Sequence, residues 1–167
     1  MNMNTIKKVL KPSVTSPFKE RLFNNKNVLI TGGGTGLGKQ IAKTYLYLGA
    51  NVTIASRKEE VLRNTCEELG NDRINYHILD LKKTDSISNL VNNLEYLPDI
   101  VINNSAGNFI CPSEHLTYNG WNSILDIVLK GTTDLTLTLG KEMIKRSHTA
   151  SFVNISTTYA STGSGFV

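Results

Sequence analysis

Val28-Leu29-Ile30-Thr31-Gly32-Gly33-Gly34-Thr35-Gly36-Leu37-Gly38 is the stretch on which the fold turns. Val28-Leu29-Ile30 is a short apolar run that stops at a glycine, which reads as a strand buried on both faces of a parallel sheet. Beyond the glycines a helix is predicted from about Leu37 to Leu48, with Ile41, Tyr45 and Leu48 on one face and Gly49 ending it. Glycine reaches positive φ and lets a backbone come close to a bulky anion. The next helix offers unpaired N–H groups and the positive end of its dipole. A strand, then a glycine cluster, then a helix is the context in which such a loop holds a dinucleotide's pyrophosphate; in other contexts it is a structural turn. A Walker loop is excluded, because no Gly-Lys-Ser/Thr ends the cluster.

Strand and helix then alternate outward from this turn. Val52-Thr53-Ile54-Ala55 is a second strand, Glu59 to Leu69 a helix closed by Gly70, and Ile74 to Leu79 a third strand. Asp85 is expected to cap a helix through Leu94, with Ile87, Leu90, Val91 and Leu94 facing the core. Ile100-Val101-Ile102 is a fourth strand. One long helix is expected from Tyr118 to Lys145. Trp121, Leu125, Val128 and Leu129 form one stripe of it, and Leu135, Leu139 and Met143 continue a buried side. Ser151 to Ile155 is a fifth strand. Repeated strand-helix-strand units predict an α/β fold, a Rossmann-like, doubly wound parallel sheet covered on both faces by helices.

Composition bounds the rest. The 167 residues suit one domain, and 40% hydrophobic with 19% charged residues is the balance of a chain that packs a core. No apolar run approaches the length that spans a bilayer. Two cysteines, Cys66 and Cys111, are too few for a disulfide framework or a structural zinc site, and His77, His115 and His148 lack metal-ligand spacing. A net charge of +4 permits a phosphorylated ligand without demanding nucleic acid. Residues 1–25 lack periodicity, and Lys7, Lys8, Lys11 and Lys19 precede the first acid, Glu20. That start reads either as an arm lying on the domain or a neighbouring subunit, or as a targeting segment. Residues 26–167 read as a partial dinucleotide-binding domain.

The end of the second strand selects the cofactor. An acid there holds the ribose hydroxyls of NAD, whereas an arginine favours the extra phosphate of NADP. Ser56-Arg57-Lys58 offers a hydroxyl and two cations, with no acid before Glu59, which points to NADPH rather than NADH.

At Gly32, Gly36 and Gly38 the spacing Thr-Gly-x-x-x-Gly-x-Gly resembles the short-chain dehydrogenase/reductase family, and Asn104-Ser105-Ala106-Gly107 is similar to its Asn-Asn-Ala-Gly motif with one substitution. Thr31 to Gly38, Ile54 to Lys58, Asn103 to Ile110, Asp126 to Thr132 and Tyr159 to Val167 more narrowly resemble the 2,4-dienoyl-CoA reductases of the mitochondrial type. The resemblance implies NADPH-dependent reduction of a 2,4-dienoyl-CoA to an enoyl-CoA, a step in oxidising unsaturated fatty acids. It also implies an acyl-CoA substrate, a homotetramer, and a mitochondrial, otherwise cytoplasmic, location.

Residue by residue, the resemblance assigns Gly32, Gly34, Thr35, Gly36, Leu37, Gly38, Arg57 and Asp80 to the cofactor. Phe109, Thr117, Arg57 and Lys82 fall on the substrate side, and Tyr159 and Asn108 are the catalytic pair. Thr157 occupies the family's usual serine position, and Lys130 stands where many members carry asparagine. Hydride addition to a conjugated thioester pushes charge onto the carbonyl oxygen, where the Tyr159 hydroxyl and Asn108 amide are suitable donors. Relatives continue beyond Val167 with a ribose-binding lysine and further strands, so the chain reads as C-terminally truncated, about five strands of the order 3-2-1-4-5-6. The alternatives are a catalytically inactive nucleotide-binding remnant, or another short-chain acyl-CoA or ketoacyl reductase.

Overall fold

The computed structural model describes residues 18–70, 72–108, 110–157 and 161. The expected alternation is present: β1 (Asn27–Thr31), α1 (Gly36–Tyr47), β2 (Asn51–Ser56), α2 (Glu59–Leu69), β3 (Ile74–Ile78), α3 (Thr84–Asn93) and β4 (Ile100–Asn103). A single 3-10 turn (Ser113–His115) leads into α4 (Tyr118–Leu125), a π-helical segment (Asp126–Gly131), α5 (Thr132–Lys145) and β5 (Ser151–Asn154). All neighbouring strands pair in parallel in the order β3-β2-β1-β4-β5. That is the doubly wound order, whose chain reverses direction across the sheet between β1 and β4.

Alternation along β1 divides the core into two layers. Leu29 points to one face with Val101, Ile87, Leu90, Leu135, Leu139 and Met143, under α3 and α5. Val28 and Ile30 point to the other with Ala42, Leu46, Val52, Ile54, Leu62 and Leu69, under α1 and α2. Both faces are dry at β1 and β4, which is why those two strands read as unbroken apolar runs, whereas β3 and β5 at the two edges of the sheet leave much of their length exposed. Gly70 closes α2 in the left-handed region at φ 54°, as its position predicts.

Several local expectations are corrected. The buried line of α1 runs through Gly38, Ala42 and Leu46, with Ile41 and Tyr45 half-buried on its flank. Asp85 is not the cap of α3. Lys83 holds that position without a side-chain cap bond, and Asp85 lies in the first turn, where a carboxylate still suits the helix dipole. The long helix is not uniformly α. Six residues, Asp126 to Gly131, form wider π turns between α4 and α5. A wider turn changes the phase of the residues before it relative to those after it. Leu135, Leu139 and Met143 of α5 therefore face the core as expected, whereas Trp121, Val128 and Leu129 point outward, at 51%, 44% and 59% exposure.

Residues 20–25 form turns against the end of α1, and most of residues 1–25, with the arm or targeting reading, lies outside the described residues. The Phe23 N–H donates to Leu48 O at 3.0 Å, and its ring lies 4.9 Å from that of Tyr45. Asp99, just before β4, ties the starts of two strands together. Its carboxylate accepts from the Asn27 N–H at 2.8 Å and from Lys26 Nζ at 2.9 Å. Burial pushes this carboxyl up, but the Asn27 N–H, the Lys26 ammonium and nearby His148 together hold it below the usual range. A depressed carboxyl stabilises the fold above the unfolded value near 4, and the stabilisation is lost as pH falls through the lower folded value. Asp99→Asn should therefore lower the thermal midpoint at neutral pH and make its acid-side decline shallower. Melting curves of the two proteins that stay parallel from pH 6 down to about pH 2 would refute this.

Candidate active site

The carboxyl ends of β1, β2 and β4 open onto a cavity of about 340 Å³, at the crevice where the doubly wound fold binds ligands. Gly32, Gly34 and Thr35 form one wall, Ser56, Arg57 and Lys58 one end, Asp80 and Leu81 the rim after β3, and Asn104, Ser105 and Ala106 the opposite end. Of the expected cofactor residues, the fold thus brings Gly32, Gly34, Thr35, Arg57 and Asp80 to one space, although three separate strand ends supply them.

Thr31 organises the junction of the two glycine-bearing loops. Its buried hydroxyl accepts from the N–H groups of Asn104 and Ser105, both at 3.0 Å. In return the Asn104 side chain donates to Thr31 O at 3.0 Å. Gly32 turns at φ 66° and is pinned by its N–H to Ala55 O at 2.7 Å. Gly38 is buried beneath the loop and does not line the cavity. A Cβ there would stand 2.6 Å from Asn104 Nδ2 and closer still to Gly32 O. Its place is to let α1 begin against the glycine turn. Gly36, at φ 51°, and exposed Leu37 open the first turn of α1.

The chemistry of this wall is that of an anion cradle. Thr35 caps α1 without a side-chain cap bond, so the first-turn N–H groups are left for another acceptor. Their positive end, two exposed cations at Arg57 and Lys58, and glycines that keep the approach clear fit a phosphorylated dinucleotide. At the rim, half-buried Asp80 accepts from the Lys82 N–H at 3.1 Å, and its own N–H donates to Ser86 Oγ at 2.9 Å, which orients its loop.

The substrate side is less concentrated. Asn108 follows β4 on an exposed loop, and Lys82 is exposed beside Asp80; neither lines the cavity. Thr117 caps α4, its hydroxyl accepting from the Gly120 N–H at 3.1 Å, which leaves the hydroxyl proton to donate elsewhere. Phe109 and Tyr159 lie outside the described residues, and Thr157 ends the described run after β5. Lys130 pairs with Asp126 at 2.7 Å across the π segment, and the Asp126 carboxylate raises the lysine's pKa.

Sequence reasoning missed two contributors. Ile127, on the π segment, reaches the cavity and packs under Gly107. The neighbouring Gly131 passes so close to the chain at Leu81 that a Cβ would stand 2.5 Å from Leu81 O. Gly131 itself was the available signal, a glycine inside a predicted helix where only a close backbone approach explains it. Cys66 is no reactive thiol: burial, then the Glu67 charge, pushes its pKa up to about 11.

A family model described as short chain dehydrogenase matches residues 26–166. The chain belongs to the short-chain dehydrogenase family. Among curated relatives, it is 39% identical over 164 residues to a probable 2,4-dienoyl-CoA reductase of Caenorhabditis elegans, covering 93% of this chain and 53% of that protein. A crystal structure of a short chain dehydrogenase from Bacillus anthracis superposes with a TM-score of 0.80 at 38% identity, over 84% of this chain and 59% of that one. Serine dehydrogenase in its closed form complexed with NADP+ gives a TM-score of 0.76 at 26% identity, covering 83% and 57%. The chain spans about half the length of the curated relatives it matches. Among the described residues of this short-chain dehydrogenase, no helix is long and apolar enough to cross a membrane.

Proposed function

We propose that this chain carries the dinucleotide-binding part of an NADPH-dependent 2,4-dienoyl-CoA reductase. The observation that carries the proposal is the cavity itself, an uncapped helix start and glycine wall between a cationic end at Arg57 and a polar loop at Asn104. The names of relatives such as the Caenorhabditis elegans protein supply the reaction. When bound, NADPH supplies the hydride.

The N–H groups at Thr35, Gly36 and Leu37 take the diphosphate, Arg57 with Ser56 and Lys58 takes the 2′-phosphate, and Asp80 lies beside the adenine. Asn108 and Tyr159 donate hydrogen bonds to the thioester oxygen, where charge accumulates as the conjugated system is reduced. They favour the transition state because that oxygen is a stronger acceptor there than in the ground state. Phe109 packs the acyl chain, and Thr117 and Lys82 contact the acyl-CoA, Lys82 at a phosphate. The proton that completes the new C–H bond comes from water or another acid. Assembly as a homotetramer and a mitochondrial location are part of the same proposal, the latter on the basic, acid-poor start of the chain.

The test is oxidation of NADPH by the purified protein with and without a 2,4-dienoyl-CoA. Consumption that depends on the thioester is the expected result, and Tyr159→Phe should lower kcat by about tenfold or more. NADPH binding without turnover would replace this reading with that of an inactive nucleotide-binding remnant. Turnover unchanged in Tyr159→Phe would remove Tyr159 from the mechanism.

A further inference from the structure

The buried face of α2 consists of Leu62, Thr65 and Leu69. One hydroxyl stands in an otherwise apolar line, 2% exposed, where packing alone asks for valine or leucine. That hydroxyl donates to Gly34 O at 2.7 Å, across 31 positions of chain, and so satisfies a carbonyl that the glycine loop turns into the interior. In a planar trans peptide the C=O and the following N–H point in opposite directions, and no described peptide is cis. With Gly34 O drawn inward to Thr65, the N–H of Thr35 is turned outward, to the open side of the loop. Among the described residues nothing accepts from it. Gly34 and Thr35 both line the cavity there.

We propose that Thr65 is a positioning residue for the dinucleotide: by holding Gly34 O, its hydroxyl sets the direction in which the Thr35 N–H meets the diphosphate. The inference rests on the proposed dinucleotide site and assigns to it a residue that touches neither ligand nor cavity. Without the hydroxyl, the buried carbonyl loses its partner, and the cheapest relief is rotation of the Gly34–Thr35 peptide toward water. That rotation removes one diphosphate donor and places a carbonyl oxygen near the anion instead. The adenosine end, held by Arg57 and Asp80, is untouched.

The experiment compares two ligands by titration calorimetry on the full chain: NADP+, which has the diphosphate, and adenosine 2′-phosphate, which lacks it. Thr65→Val keeps the shape and removes the donor. The dissociation constant for NADP+ should rise roughly tenfold while that for adenosine 2′-phosphate changes less than about twofold. Thr65→Ser, which restores a hydroxyl, should return the ratio of the two constants to its original value. Should Thr65→Val fail to fold, Thr65→Ala set against Thr65→Ser reads the same ratio. Equal weakening of both ligands, or an unchanged ratio in every variant, would overturn the proposal and leave Thr65 as core packing. An unaltered chain that binds neither ligand would instead end the dinucleotide reading, and this inference with it.

Discussion

Gly38→Ala is expected to abolish measurable dinucleotide binding and to lower the thermal midpoint by about 5–10 °C. The new methyl group has nowhere to go. It would meet Asn104 Nδ2 at 2.6 Å and the Gly32 carbonyl carbon at 2.9 Å, and Gly32 O nearer than either. These are not the ends of flexible side chains. Gly32 is held by Ala55 O, and the Asn104 side chain by Thr31 O. Making room requires separating α1 from the glycine turn, and that separation breaks the anion cradle. Overpacking of this kind costs about 1–3 kcal/mol of stability. Gly140→Ala is the matched control: nothing lies within 4 Å of a Cβ there, so helix propensity should raise the midpoint slightly. Full dinucleotide affinity in Gly38→Ala, measured by calorimetry, would show that the loop does not seat the ligand as described.

Arg57→Ala should weaken NADPH binding by about 10–100-fold, the range of a charge-assisted hydrogen bond, and leave NADH within about threefold. Arg57 is exposed at the cavity's end, directly after β2, and Lys58 stands beside it. An exposed cation is screened by salt, so the selectivity should narrow as ionic strength rises. Fluorescence titration of each reduced nucleotide at two salt concentrations measures both effects. Equal affinity of the unaltered chain for NADH and NADPH would refute the choice of NADP, whatever Arg57→Ala does.

The candidate site was legible unevenly, for physical reasons. The glycine turn and Arg57 stood out because each sits at the carboxyl end of a strand, and parallel pairing brings those ends to one edge, whereas Asp80 was marked by the family resemblance alone. The roles of Thr31 and Thr65 were not, because their hydroxyls act on loops 73 and 31 positions away. A threonine that ends a strand or faces a core looks the same in a sequence whether or not a carbonyl waits opposite. Gly38 carries the same motif signal as Gly32, and its close approach to Gly32 O, a packing role, is visible only in the fold.

Local chemistry in the chain was enough for the order of strands and helices, the two-layered core and the glycine turn after β1, since apolar period and glycine placement act within a few residues of one another. The π segment from Asp126 to Gly131 lay beyond it. Gly131 meets Leu81 across the fold, and the wider turns there rotate Trp121, Val128 and Leu129 away from the core while Leu135, Leu139 and Met143 stay in it. Helical periodicity carries no record of such a shift, because the phase of a helix is set by the backbone it must pass, and that backbone comes from a distant part of the chain.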